Sequence, residues 1–365
     1  MPQLQKEQTA EVPTDVSWQC LHISNAYKYN KFGIFLITLP ALKRRKIMLL
    51  QIAILIAGLL LILFGANYLV DGSSSIARRF GLSEFVIGLT IVGIGTSTPE
   101  MVVSFLSAFK GNADMAIGNI VGSNIFNTML ILGITAIIAP LTITKSNLKK
   151  DIPLNIGVTV LLILLGMNAS IFGHGENILS RVDGIILLAI FAWYIWISFR
   201  SDKSGNEEEE NISSYTPIAS VFLILGGLAA LIFGGRLFVN AATEIAKGFG
   251  VSDKFIAVTV LAAGTSMPEL ATSVVAAIKG RGQLALGNVL GSNISNILLI
   301  LGGSALICPL SFKGMSYVDL GAVLISGLFI LISAYTFRKN RLDRVEGSIL
   351  VLMGAFYMMY LIANL

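Results

Sequence analysis

The sequence predicts an all-α polytopic membrane protein with ten transmembrane helices, arranged as two inverted five-helix repeats. Hydrophobic residues make up 55% of the 365 residues and charged residues only 13%, about half the charged share of a typical soluble domain. The hydrophobic residues fall in runs of roughly 18–25, the length that crosses a bilayer as a helix. A long segment of the sequence also occurs in two similar copies, which indicates an internal repeat.

The repeated block occupies residues 86–141 and 255–310. The two copies align without a gap at an offset of 169, and 27 of the 56 aligned positions are identical. Weaker matches extend the repeat on both sides, so that each half contains five predicted spans. Because five is odd, the second half must enter the membrane from the opposite side, and the halves are therefore predicted to be inverted repeats.

The distribution of charge predicts the domain boundaries. Residues 1–47 are polar apart from one short apolar run and end in a basic cluster, so we expect them to be an extension outside the core, with Met48 as the true first residue. The first five-helix repeat is then 48–200, a cytoplasmic linker covers 201–216, and the second repeat is 217–365. The ten predicted spans are 49–70, 84–108, 115–139, 152–168, 182–199, 217–239, 253–278, 285–308, 316–337 and 346–363.

Lysine and arginine residues in the loops orient these spans. If the chain from Met48 begins outside, the inside loops carry thirteen basic residues and the outside segments carry six. Because basic residues stay on the cytoplasmic side, we expect the linker inside, and we place the protein in the plasma (inner) membrane. Acidic residues near the span ends are interpreted as interfacial; they are Asp71, Glu84, Asp151, Asp183, Glu244, Asp253 and Asp319.

The first repeated motif, GTSTPE at 95–100 and GTSMPE at 264–269, places a carboxylate inside a predicted span, and an ionisable group there points to function. Pro99 lacks an amide N–H and clashes with the preceding turn, while Gly95 loosens the backbone ahead of it. We therefore predict a kink or unwinding near the middle of the second span. The carbonyl groups of Gly93 and its two successors should then lose their helical partners.

The second motif supplies a stripe of neutral oxygens, because asparagine and serine recur every four residues in 118–127 and 287–296 and so share a helix face. Inversion would bring both stripes and both glutamates together near the membrane midplane. Two carboxylates among many neutral oxygens suit a hard cation, and their twofold charge matches Ca²⁺. The predicted oxygen donors are Thr96, Ser97, Glu100, Asn119, Ser123, Asn127, Thr265, Ser266, Glu269, Asn288, Ser292 and Asn296.

Each motif alone has a structural explanation, as a kinked helix or as polar contacts that hold helices together. Two copies of both motifs, at one offset and in opposite membrane senses, favour a functional site. Cys20 and Cys308 give neither a disulfide framework nor a metal-ligand spacing. The spans contain no nucleophile–base pair, which argues against an intramembrane enzyme. The net charge of +5 is explained by cytoplasmic loops and needs no nucleic acid.

The paired motifs resemble the α-repeats of the cation/calcium exchanger superfamily, specifically of prokaryotic sodium/calcium antiporters, over essentially all of residues 49–365. The resemblance implies alternating access, exchange of Na⁺ against Ca²⁺ and four adjoining ion sites at the centre. Several relatives carry Asp at the position of Asn296, so this chain has two central carboxylates rather than three. The implied ligands are Thr96, Ser97, Glu100, Ser123, Asn127, Thr265, Ser266, Glu269, Ser292, Asn296 and the backbone carbonyls of Gly93 and Ala262.

The sequence and the resemblance together predict a Na⁺/Ca²⁺ antiporter that transports both ions, uses no cofactor and has the lipid bilayer, but no protein, as its partner. A Ca²⁺/H⁺ exchanger on the same scaffold, with the two glutamates titrating, is the nearest alternative. A cation channel is a third possibility, although a compact cluster of ligands favours occlusion over a continuous pore.

Overall fold

The computed structural model is mostly helical over the residues that it describes, which are 18–173, 176–201, 215–251, 262–336 and 340–364. Its helices in chain order are α1 (Trp18–Phe80), α2 (Glu84–Thr96), α3 (Thr98–Phe109), α4 (Ala113–Ile138), α5 (Ile152–Gly166), α6 (Asn168–Phe172), α7 (Arg181–Ser201), α8 (Pro217–Gly248), α9 (Ala262–Thr265), α10 (Met267–Ile278), α11 (Gly282–Ile307), α12 (Tyr317–Thr336) and α13 (Arg344–Ala363). Four two-residue strands are β1 (Leu141–Thr142), β2 (Ile178–Leu179), β3 (Leu310–Ser311) and β4 (Arg341–Leu342).

Seven of the described helices are long and apolar enough to cross a bilayer: α4, α7, α8, α11, α12, α13 and the part of α1 from Ile47 onward. The bent pair α2 and α3 makes an eighth if it counts as one broken span. At 15 and 12 residues, α5 and α10 are shorter than the roughly 20 residues that a straight span needs. Residues 253–261 of the predicted seventh span and 202–214 of the predicted linker lie outside the described residues. The protein is a multi-pass membrane protein, and ten spans stay a prediction.

The first helix extends beyond the predicted span 49–70 at both ends. It begins at Trp18 and runs to Phe80, and its apolar part starts at Ile47. The residues just before Met48 are mainly Lys and Arg, which are strong helix formers, so nothing local ends the helix there. The chain divides into two compact units, Met1–Gln51 and Ile52–Leu365. In the first unit the residues described are helical, and the candidate site described below lies in the second.

The predicted kink in the second span is confirmed. Helices α2 and α3 are bent by 49° at Ser97, whose backbone leaves the helix at φ −77°, ψ 9°. The Thr98 hydroxyl donates to the Gly95 carbonyl at 2.7 Å, and so replaces the donor that Pro99 lacks. In the second half, Ser266 interrupts α9 and α10 with nearly the same angles, φ −89° and ψ 7°.

The predicted loss of a helical partner at Gly93 is wrong. The Gly93 carbonyl accepts a hydrogen bond from the Ser97 amide at 3.2 Å. The break removes only the donor at Pro99, two residues further along, so the carbonyl four residues before Ser97 keeps its usual i to i+4 partner. The break is therefore shorter than the sequence suggested.

Helices α4 and α11, which carry the second motif, form the centre of the molecule. The hydrophobic window of α4 is 72% buried and that of α11 is 94% buried, against 11% for α1. Two short antiparallel strand pairs, β1 with β4 and β2 with β3, each join a strand from the first half of the chain to one from the second. The two halves are thus tied together at two places around the central helices.

Glycines bring α1 and α8 into backbone contact. A methyl group added at Gly58 would lie 2.9 Å from the Gly234 carbonyl oxygen, and one added at Gly65 would lie 2.8 Å from the Gly227 carbonyl oxygen. The two helices are therefore antiparallel along this contact. Small residues at such positions let helix backbones approach closely in a membrane.

Candidate cation site

Two buried carboxylates lie at the centre of the fold, one in the first turn of α3 and one in the first turn of α10. Glu100 and Glu269 are each only 1% exposed. Each accepts a hydrogen bond from the helix-break serine of the other half: Ser97 Oγ donates to Glu269 Oε1 at 3.0 Å, and Ser266 Oγ donates to Glu100 Oε1 at 3.2 Å. The two broken helices therefore cross so that each serine reaches the opposite glutamate.

The asparagines that open the polar stripes fix these broken helices against α4 and α11. Asn119 Nδ2 donates to the Glu100 backbone carbonyl at 3.2 Å and to the serine hydroxyl four residues further along at 3.0 Å. Asn288 makes the same two bonds to the second half, at 3.2 Å to the Glu269 carbonyl and 2.8 Å to the corresponding serine. Both glutamates are thus anchored through their backbone, and their side chains remain available for other partners.

Four buried oxygens at this centre accept no hydrogen bond within the described part of the chain. They are Oε2 of Glu100, Oε2 of Glu269, Oδ1 of Asn127 and Oδ1 of Asn296. They form two pairs at the repeat offset of 169. Buried polar groups are nearly always paired, because an unpaired one costs roughly 1–3 kcal/mol. Two carboxylate and two amide oxygens without donors are a ligand set that a hard cation satisfies.

A chain of hydrogen-bonded asparagine amides explains why the oxygens of Asn127 and Asn296 are left without a donor. Asn127 Nδ2 donates to Asn293 Oδ1 at 3.2 Å, and Asn296 Nδ2 donates to Asn124 Oδ1 at 2.9 Å. Asn124 also donates to the Asn293 backbone carbonyl at 3.2 Å. With their NH₂ groups held in this way, Asn127 and Asn296 must turn their carbonyl oxygens elsewhere.

The sequence reasoning missed Asn124 and Asn293, which are each 1% exposed. A signal was present, because both stand in the repeated GSN triplet at the same offset of 169. They lie one position away from the predicted stripe of residues four apart, so the helical spacing assigned them to packing. Asn124 and Asn293 join the two halves of the chain and orient the side-chain amides of Asn127 and Asn296.

Most of the predicted site residues take part in hydrogen bonds around the two glutamates or among the asparagines of α4 and α11. Ser123 Oγ donates to Glu100 Oε1 at 3.4 Å, Ser292 Oγ donates to the Gly93 carbonyl at 3.2 Å, and Thr96 Oγ1 donates to Asn288 Oδ1 at 3.1 Å. The Thr265 hydroxyl lies beside the Glu100 carboxylate. Ala262 is the first residue of α9. The residues brought together are Gly93, Thr96, Ser97, Glu100, Ser123, Asn127, Thr265, Ser266, Glu269, Ser292 and Asn296.

The chemistry of this network is that of oxygen ligands. Across the described residues there is no cluster of three or more His, Cys, Asp or Glu side chains, so the site combines two carboxylates with neutral oxygens. Hard cations such as Ca²⁺ and Na⁺ take carboxylate, carbonyl and hydroxyl oxygens, whereas softer metals prefer thiolates and imidazoles. Ions that bind here would share both glutamates and would therefore compete.

Known proteins match this sequence over nearly the whole chain. The family profile described as sodium/calcium exchanger protein matches residues 50–200 and 219–363. The sodium/calcium exchanger MaX1 of Methanosarcina acetivorans is 33% identical over 343 residues, which cover 85% of this chain and 97% of that protein. The inner membrane protein YrbG of Escherichia coli K12 is 37% identical over 285 residues, which cover 74% of this chain and 84% of that protein.

A solved structure is similar in three dimensions. The sodium-calcium exchanger NCX_Mj, in crystals soaked with Na⁺ and without Ca²⁺, superposes with a TM-score of 0.74 at 32% sequence identity. The match covers 86% of this chain and 99% of that one. The helical arrangement described above is therefore the arrangement of a known ion exchanger.

Proposed function

This chain belongs to the sodium/calcium exchanger protein family, and we propose that it is a secondary antiporter that exchanges Na⁺ for Ca²⁺. The observation that carries the proposal is the set of four buried oxygens without donors, on Glu100, Glu269, Asn127 and Asn296. A transported cation would satisfy all four and neutralise the two carboxylates. Without a cation, two buried like charges would stand in a medium of low dielectric constant at high cost.

We assign the site residues to the two ions by their oxygen donors. Ca²⁺ would be held by the two glutamates together with the hydroxyls of Thr96 and Thr265, and the unpartnered amide oxygens would complete its coordination. Na⁺ would occupy overlapping and flanking positions that use the backbone carbonyls of Gly93 and Ala262 and the serine hydroxyls of Ser97, Ser123, Ser266 and Ser292. Because both ions need the same carboxylates, one must leave before the other binds, and this competition enforces exchange.

Movement between two access states would complete the cycle. We assign the gate to α1 and α8, because their glycine-lined contact presents few polar groups and few interlocking side chains to a sliding motion. In this proposal the chain has ten spans in two inverted halves, the linker 201–216 faces the cytoplasm, and the protein resides in the plasma (inner) membrane. A relative from E. coli is named as an inner membrane protein, which supports that location.

The test is Ca²⁺ uptake into proteoliposomes driven by an outward Na⁺ gradient, with K⁺ replaced by choline. We expect uptake that needs Na⁺ and does not need K⁺, because Asn296 offers an amide oxygen but no third charge to offset a co-transported K⁺. Glu100→Gln and Glu269→Gln should each abolish uptake, since each removes a central charge. Asp114→Asn, which neutralises an exposed carboxylate in the first turn of α4, is the matched control and should transport normally.

Each contrary result has a distinct meaning. Normal uptake by either central glutamine variant would overturn the assignment of the site. Uptake driven equally well by a pH gradient without Na⁺ would favour the proton-coupled exchanger, in which protons rather than Na⁺ compete for the two glutamates. Uptake that stops without K⁺ and returns on its addition would overturn the role given to Asn296.

A further inference from the structure

Thr128 adds one hydrogen bond to the chain of asparagine amides at the candidate site. Asn293 Nδ2 donates to Thr128 Oγ1 at 2.8 Å, and Asn293 Oδ1 accepts from Asn127 Nδ2 at 3.2 Å. Thr128 and Asn293 are each 1% exposed. Both ends of the Asn293 amide are therefore paired away from water, and two hydrogen bonds connect the Thr128 hydroxyl to the side chain of Asn127, whose oxygen is unpartnered.

The direction of these bonds decides which atom Asn127 leaves free. A side-chain amide carries an acceptor oxygen at one position and a donor NH₂ group at the other, so Asn127 could present either to a cation. It leaves its oxygen free because its NH₂ group is bonded to the Asn293 oxygen. If the Asn293 amide turned over, its NH₂ group would face Asn127 and would draw the Asn127 oxygen away from the cation.

The Thr128 hydroxyl stabilises the direction that leaves the Asn127 oxygen free. In this direction the Asn293 NH₂ group points away from Asn127 and donates to Thr128 Oγ1. Without the hydroxyl, that NH₂ group would be buried with no acceptor, and an unpaired buried donor is rarely tolerated. The reversed direction would then be favoured, because it lets the same NH₂ group donate to Asn127.

The second half of the chain holds its amide in another way. Asn296 Nδ2 donates to Asn124 Oδ1 at 2.9 Å, and Asn124 Nδ2 donates to the Asn293 backbone carbonyl at 3.2 Å. A backbone carbonyl only accepts, so it fixes the direction of the Asn124 amide without a hydroxyl. Ile297 stands at the position that matches Thr128 at the offset of 169. Of these two matched positions, the one whose amide depends on a hydroxyl is the one that carries it.

We propose that Thr128 is a positioning residue for the cation site, whose hydroxyl holds the Asn293 amide in the direction that turns the Asn127 oxygen toward a bound cation. Thr128 itself does not contact the ion. The inference rests on the proposed function for the identity of the cation. Because Ca²⁺ takes about six to eight oxygen ligands, one oxygen that is no longer directed at the ion should weaken binding without abolishing it.

The first test is calorimetric titration of Ca²⁺ into the purified protein. Thr128→Val keeps the shape of the side chain but removes the hydroxyl, and the Kd should rise about 3- to 10-fold, the equivalent of one hydrogen bond. Thr128→Ser keeps the acceptor and should stay within about twofold of the wild-type Kd. Ile297→Val, which shortens the matching side chain of the second half, is the control and should also stay within about twofold.

Double variants separate positioning from a general loss of packing. Because Thr128 acts through Asn127, Thr128→Val should add little to the effect of Asn127→Ala. With Asn296→Ala the two effects should multiply, since Asn296 is held by Asn124 instead. Wild-type affinity in Thr128→Val, an equal loss in Thr128→Ser, or multiplied effects of Thr128→Val and Asn127→Ala would each overturn the proposal.

The second test does not depend on ion binding. Without Ca²⁺ and Na⁺, Thr128→Val should lower the thermal unfolding midpoint by roughly 2–4 °C when Asn293 is present, and by much less in an Asn293→Ala background. Equal losses in both backgrounds would overturn the hydrogen bond as the cause. If Thr128→Val does not fold, Thr128→Ala takes its place in both tests and is compared with Thr128→Ser in the same way.

If the wild-type protein binds no Ca²⁺, the proposed function fails. The unfolding midpoints would still decide whether Thr128 holds the Asn293 amide, so the two failures are distinguishable.

Discussion

The centre of the molecule is alike in its two halves, whereas the contacts at the end of α10 are not. At the centre, each helix-break serine reaches the opposite glutamate, at 3.0 and 3.2 Å, and each half leaves one carboxylate and one amide oxygen unpartnered. Away from the centre, two ion pairs join the residues after α10 to the first half, and the sequence at the offset of 169 does not repeat them. The proposed ligands are therefore duplicated, whereas these ion pairs are not.

The difference away from the centre is fixed by sequence. Lys279 pairs with Asp71 at 2.7 Å, and Arg281 pairs with Glu84 at 3.4 Å, so the end of α10 is tied to the first half. At the offset of 169, the partners of these residues include Asn240 in place of Asp71 and Asn112 in place of Arg281. These two ion pairs, which we call the latch, cannot have an identical counterpart on the other face.

The largest expected effect comes from alanine at Gly291, where α11 meets the backbone of α2. Gly291→Ala should destabilise the fold by about 1–3 kcal/mol, the usual cost of overpacking, because its methyl group would overlap Leu89. The variant should lose at least about tenfold in transport, and its thermal unfolding midpoint should fall by several degrees. Gly157→Ala, where no described atom lies within 4 Å, is the control, and a Gly291→Ala variant as active and stable as this control would contradict the close packing of the centre.

Loss of the latch should have an intermediate effect. The Lys279–Asp71 pair is about one-third exposed on both sides, and such pairs contribute at most about 1 kcal/mol. Asp71→Asn should therefore shift the balance of the two access states by up to about fivefold, seen as a change in apparent Ca²⁺ affinity on one membrane face. The exchanged pair Asp71→Lys with Lys279→Asp should restore the wild-type value, and failure of this rescue would mean that the ion pair has no gating role.

The smallest expected effect concerns the buried carboxyl group of Asp151. Because burial raises the pKa of Asp151 from 3.8 to about 6, the folded state binds its proton more tightly than the unfolded state does. Its contribution is therefore most favourable below about pH 4 and is lost as the pH rises to about 6. Asn147, Lys150 and Tyr194 are the neighbours that act on this carboxyl group. The unfolding midpoint of Asp151→Asn should fall less steeply over this range than that of the wild type, and identical slopes would contradict the burial of an ionisable group here.

The sequence alone was sufficient to predict those structural features whose cause lies within one helical turn or is repeated in both halves of the chain. Pro99 predicts the break at Ser97 because a missing donor acts within one helical turn, and the duplicated glutamates predict a shared centre because both copies obey one offset. It was insufficient for the hydrogen bond between Tyr357 and Asp319, which are 38 residues apart and meet only through helix packing. The latch was missed for the same reason: each acid was assigned to the membrane interface, and its basic partner comes from the other half of the chain.

Direct titration of Ca²⁺ into the purified protein, followed by calorimetry, tests the central claim that the four unpartnered oxygens hold the transported cation. We predict that Glu100→Gln and Glu269→Gln each weaken binding about 100-fold, the equivalent of roughly 3 kcal/mol for one partner of a buried charge pair. Asn127→Ala and Asn296→Ala should each weaken it about tenfold and to a similar extent, while Asp114→Asn should bind as the wild type does. Wild-type affinity in either glutamine variant would contradict the account.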